Sequence, residues 1–212
     1  MPKHTRSTAM LTALTALAVT GLTLGTVLTV PAGAAAPKAP GFLAAKDLPP
    51  HATSTWSAGR VTAGVPEVIE LDTCLGMALG GGGSNTWHRE FWTDLDTTAR
   101  QVSVKASSVS AAKGRYTRVN KDIKSCAKRI ERAYPEIDAT LRDYGTLAVE
   151  EGAHVYGLHV KSAWGSTDIR LLGVGRDGKT VTVVDWGQMG NFGNAPVKAF
   201  KKTTTKAVNK LH

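Results

Sequence analysis

TDIRLLGVGRDGKTVTVVDWGQ, residues 167–188, is the stretch whose reading decides the fold. Arg176-Asp177-Gly178-Lys179 sits at its centre, and Asp-Gly accepts the positive φ values that a tight primed turn demands. TDIRLLGVGR and KTVTVVDWGQ on either side read as strands, so the segment predicts a β-hairpin. Upstream, TLRDYGTLAVE (140–150) and AHVYGLHVKSA (153–163) have the same period of two, with Glu151-Gly152 as the turn between them. Links this short favour an antiparallel meander over βαβ units. Ala99 to Ala106 alternates as well and reads as a further strand.

Two segments have a helical period instead. Tyr116, Val119, Ile123, Cys126, Ile130 and Ala133 recur at steps of three and four, which is one face of a helix. Ser110 is its candidate cap, and Pro135 ends it after Tyr134. Its other side carries Lys113, Arg115, Arg118, Lys121, Lys124, Lys128, Arg129 and Arg132. At the end of the chain Val197, Phe200, Thr204, Ala207 and Leu211 form a second stripe, with Asn194 as cap, Pro196 in the first turn and lysines around the remainder. The fold class that follows is α+β: a twisted antiparallel sheet with the amphipathic helices packed on one face, held by one disulfide.

The N-terminus reads as an export signal. MPKHTR supplies Lys3 and Arg6, an uncharged threonine-diluted run follows, and Ala32-Gly33-Ala34 fits a small-x-small cleavage site. A retained membrane anchor is the rival, because the apolar run is long for a signal. The expected organisation is a signal peptide over 1–34, a linker over 35–40 and one domain over 41–212. Without Lys3 and Arg6 the mature chain has 24 Lys and Arg against 17 Asp and Glu, a net of +7. Such a field favours anionic partners: an envelope polymer, anionic lipid or an acidic envelope protein, with nucleic acid disfavoured outside the cell.

Export sets the expectation for the two cysteines, Cys74 and Cys126. In an oxidising compartment they most simply form one disulfide, with a buried unpaired thiol as the alternative. Cys126 lies within the buried stripe, which suits a tie from the helix to the segment around Cys74 and suits neither nucleophile nor metal ligand. A zinc site needs about four ligands at short spacings, and there is no CxxC or HxxxH.

Several stretches together resemble the extracellular sensor domain of PknH-type receptor serine/threonine kinases and the related stand-alone secreted proteins of actinobacteria. They are FLAAKDLPP at the domain start, the Cys74–Cys126 pair, and RDGKTVTVVDWGQ ahead of the closing APVKAFKKTTTKAVNKL helix. The resemblance spans roughly 41–212. It implies a strongly twisted antiparallel sheet with helices, disulfide bonding and a ligand cleft, and no established chemistry. The sequence departs from the family in showing no kinase region and in holding one cysteine pair where some relatives hold two.

No catalytic constellation stands out. His154 and His159, five apart in one strand, point to opposite faces and cannot share a metal. Asp94-Leu95-Asp96 lacks the further oxygen ligands of a calcium loop. Gly80–Gly83 is not followed by Gly-Lys-Ser/Thr, so it reads as a tether, not a phosphate cradle. No Gly-x-Ser-x-Gly elbow is present. The tether precedes Trp87, Phe91 and Trp92, which are expected to line a ligand cleft under a mobile lid. Arg115, Arg118, Lys121, Lys124, Lys128, Arg129 and Arg132 are expected to meet an anionic surface. The resulting expectation is a secreted, non-enzymatic, sensor-like domain that binds a small molecule or an anionic envelope component without metal or cofactor. A hydrolase acting on wall or lipid material is the alternative.

Overall fold

The computed structural model describes residues 38–70, 72–79 and 83–212. The expected signal peptide, residues 35–37 of the expected linker and Gly80–Gly82 of the glycine run lie outside the described residues.

Eight strands form one antiparallel sheet: β1 Ser57–Ala58, β2 Thr62–Ala63, β3 Thr86–Trp92, β4 Thr98–Lys105, β5 Ile137–Leu147, β6 Ala153–Ser162, β7 Thr167–Asp177 and β8 Thr180–Met189. Their order is β1-β3-β4-β8-β7-β6-β5, with β2 also on β3. The meander expected from the last four strands is present as β5 to β8. The hairpin register differs by one residue from the simplest reading. Asp177 pairs with Thr180, so the two-residue loop is Gly178-Lys179. Gly178 has φ +52°, while Asp177 keeps a negative φ. Glycine alone at the first loop position suits the II′ geometry that matches strand twist.

Five helices accompany the sheet among the described residues: α1 Glu67–Glu70, α2 Gly76–Leu79, α3 Val109–Lys124, α4 Cys126–Ala133 and α5 Val197–Asn209. FLAAKDLPP forms a single 3-10 turn at Ala45–Asp47. Val68 lies in the short helix α1. The basic helix departs from the expectation in two ways. Its cap is Ser108, whose Oγ accepts from Ala111 N at 3.1 Å; Ser110 is already inside the helix. It also breaks at Ser125. There the hydroxyl donates back to Lys121 O and Asp122 O, and Arg129 donates to Asp122 O at 2.8 Å. A side chain that satisfies carbonyls of the preceding turn competes with the helix ladder.

The α+β class and the antiparallel sheet are as expected, but the long helices lie on opposite faces of the sheet and not on one. The α2–α3–α4 layer buries Val119, Ile123, Cys126 and Ile130 against Val102, Val104, Leu172, Val174, Val181 and Val183. α5 buries Phe200 and Ala207 against Phe91, Ala99, Val155, Ile169, Leu171, Val184 and Trp186. The cause is visible in β7 and β8. Their odd and even positions are both apolar, so one helical layer cannot cover them. Gly173 and Gly175 face α5, where a methyl on either would run into Thr204 or Val208. Glycine there lets the helix approach the sheet closely.

Candidate functional site

The disulfide joins Cys74, just ahead of α2, to Cys126 at the start of α4, with Cα atoms 4.9 Å apart and both side chains buried. Two polar ties reinforce this corner. Arg129 Nη2 donates to Thr73 O at 2.7 Å. Asp72 accepts from the backbone N–H groups of Cys74 and Leu75 and pairs with Arg170 of β7. Burial works against the charge on Arg170, but Asp185 and Asp72 more than offset it and hold the guanidinium protonated.

The seven cations expected at an anionic surface therefore divide. Arg129 is turned inward, clamping the α3–α4 break to Thr73, and is not a surface contact. Arg115 donates Nη1 to Ala78 O at 2.8 Å, which holds α2 against α3. Arg118, Lys121, Lys124, Lys128 and Arg132 are exposed. Of these, Lys124 lies 3.9 Å from Asp143. Wheel position in the sequence could not separate Arg129 from its neighbours, because its partner carbonyl at Thr73 is 56 residues away.

Trp87, Phe91 and Trp92 do not converge on one cleft. All three lie on β3, where successive side chains alternate. Phe91 pairs with Ala99 and joins the core under α5; Trp87 shares that face, and both are buried. Trp92 points to the other face and is 45% exposed. Two of the three, Trp87 and Phe91, are core aromatics.

A different cleft, of about 600 Å³, opens where α2, the start of β3, the end of β4 and the first half of α3 meet. Met77 and Ala78 form one wall, Ser84 and Asn85 another, and Val104 and Ala106 the floor. Lys105, Arg115 and Arg118 line it too, and among the described residues no carboxylate does. The ion pairs among the described residues draw on Arg100, Lys124, Arg170, Arg176, Lys206 and Lys210, and on two histidines. None of the three cleft cations belongs to an ion pair among the described residues. The volume lies in the usual range for a small-molecule site. Of its residues the sequence singled out Arg115, Arg118 and Gly83, the last of the glycine run. Lys105 and Met77 gave no signal, because nothing local shows that the ends of β4 and α2 meet.

A smaller charged depression, about 380 Å³, is of another kind. It lies on the part of the sheet face that α3 and α4 leave open and mixes Arg100 and Arg170 with Asp96, Asp168 and Asp185. Its two arginines are already engaged: Arg170 and Arg100 both pair with Asp185, Arg170 also with Asp72 and Arg100 also with Glu90.

The histidines face opposite ways, as their spacing required. His154 pairs with Asp143 and stacks on Tyr156 at 4.4 Å. Burial raises the Asp143 carboxyl, but the bonds from His154 and Gly145 N–H and the nearby Lys124 lower it further, leaving it below its ordinary value. Tyr156 donates to Asn120 at 2.8 Å, and burial pushes its hydroxyl pKa up. His159 bonds Thr167 on the other side. Among the described residues no three His, Cys, Asp or Glu side chains gather as a metal site. No described helix is long and apolar enough to cross a membrane.

No family model, curated protein or solved structure matches this chain.

Proposed function

We propose that the chain is an exported, non-enzymatic binding module of the sensor-domain kind and that it holds an anionic ligand in the α2–β4–α3 cleft. One observation carries the reading: among the described residues, three cations and no carboxylate line an open cleft of about 600 Å³. A phosphate or carboxylate seated there meets the Arg115 and Arg118 guanidinium groups, whose planar donor forks suit such oxygens. Ser107 and Ala111, at the start of α3, also line the cleft and put the positive end of the helix dipole beside it. Ala78, Val104, Ala106 and Met77 offer apolar contact to the rest of the ligand. Export is supported by the charge, apolar run and small-residue pattern at the N-terminus and by the disulfide, which suits an oxidising compartment.

Calorimetric titration with glycerol phosphate tests the reading. Binding should weaken as salt rises. Arg118→Ala should cost about tenfold in affinity, the low end of a charge-assisted hydrogen bond. Arg118 is exposed and carries no structural bond, so the fold should survive the change. Absence of binding at low salt, or an unchanged affinity in the variant, overturns the assignment.

A further inference from the structure

The cleft does not stand alone on its face. Arg118, one of its linings, is also the first of four exposed cations, Arg118, Lys121, Lys128 and Arg132, that follow α3 and α4. With Ser125 between them they recur at steps of 3, 4, 3 and 4, which is a single stripe. The break at Ser125 does not scatter it. Val119 and Ile123 before the break and Cys126 and Ile130 after it all enter the same core, so the opposite side of the two helices is continuous too. None of the four belongs to an ion pair among the described residues. Lys124 and Arg129, engaged with Asp143 and Thr73, fall outside the stripe. Asp122 is the carboxylate nearest in sequence on that flank and is half-buried; Glu131 lies on the other flank and accepts from Ala139 N–H.

At the cleft end, Met77 lines the same cleft as Arg118 and is 71% exposed. A thioether in water next to a row of cations is poorly suited to a soluble polyanion, which offers no apolar phase. It suits a surface that has both anionic groups and hydrocarbon behind them. The face is rigid, since the disulfide, Arg115 and Arg129 lock α2, α3 and α4 together.

We infer that the α3–α4 face is a docking surface for an anionic phospholipid bilayer, with the cleft taking one phosphate headgroup and Met77 reaching into the interface. This rests on the anionic-ligand reading of the cleft and names where that ligand sits. The stripe supplies long-range attraction, and the cleft supplies the local contact. Cations near an anionic leaflet each strengthen binding by about fivefold, so the stripe sets whether the domain stays on the surface. An apolar side chain inserted at the boundary adds to that attraction.

The experiment compares vesicles of equal parts phosphatidylglycerol and phosphatidylcholine with vesicles of phosphatidylcholine alone, using the full chain collected from the medium. Retention is expected on the anionic vesicles only and should fall steeply with salt. Lys121→Gln/Lys128→Gln/Arg132→Gln touches no cleft residue. It should leave the affinity for glycerol phosphate unchanged and cut vesicle binding about a hundredfold. Met77→Ser should weaken vesicle binding and leave its salt dependence intact. If glycerol phosphate binds but the anionic vesicles are not retained, the docking surface is wrong and the cleft reading survives. If the triple variant binds vesicles as the parent does, the stripe is not the contact. Retention on isolated wall polymer in preference to vesicles also overturns the proposal. Failure of both ligands removes the cleft reading as well.

Discussion

Removing the Cys74–Cys126 bond should cost this domain about 4 kcal/mol, most of it in the unfolded chain. The two cysteines are 52 residues apart, and opening a loop of that size releases about 4 kcal/mol of chain entropy at room temperature. The folded corner should persist, because Arg129 still holds Thr73 and Asp72 still caps the α2 turn and pairs with Arg170. The suitable perturbation is Cys74→Ala/Cys126→Ala. Both side chains are buried, so serine would leave an unsatisfied hydroxyl while alanine leaves only a small void. Guanidinium unfolding followed by circular dichroism should show the lost stability together with a steeper denaturant dependence, because the unlinked chain exposes more surface when it unfolds. For a domain of this size a loss of about 4 kcal/mol lowers the melting temperature by about 8–16 °C. A variant within about 1 kcal/mol of the parent and with the same slope would refute the cross-link as the main tie. So would two thiols that alkylate in the native protein.

Asp47 provides a pH test. Burial raises its carboxyl, but Ala44 N–H, Lys210 and Lys206 lower it more, to a pKa of about 2 from 3.8. A depressed carboxyl stabilises above its unfolded pKa and loses that contribution as pH falls through the folded one. Asp47→Asn should cost about 2 kcal/mol at neutral pH and little near pH 2, read from urea midpoints; an equal cost at both pH values would show that charge is not the cause. The α5 contact has its own test. Gly175→Ala drives a methyl into Val208 and should cost about 1–3 kcal/mol. Gly175→Ala/Val208→Ala should cost less than the two single changes summed; strict additivity in a double-mutant cycle would mean that α5 does not press on β7 at that point.

Legibility followed the range of the interaction that decides each feature. The β5–β8 meander could be read because alternation and turn chemistry lie within a few residues of each other. The cysteine pair could be read because compartment and helix face agree on one outcome. β3 was harder: WHREFW is dense in aromatic and charged residues and shows little alternation, and it becomes a strand because β4 on one side, with β1 and β2 on the other, complete its ladders. Reading its aromatics as one cluster missed that a strand sends neighbours to opposite faces.

The amino-acid sequence by itself determined the strands β4 to β8, the helical character of the α3–α4 and α5 stretches, the antiparallel order of the last four strands and the partner of each cysteine, since those depend on local period and on a pairing with no competitor. Tertiary structure alone decided that α5 crosses to the opposite face, that Arg129 points inward while Arg118 stays in solvent, and that Lys105, Arg115 and Met77 meet around one cleft. Those outcomes depend on contacts between residues far apart in the chain, where two glycines or one distant carbonyl settle the packing and leave no periodic trace.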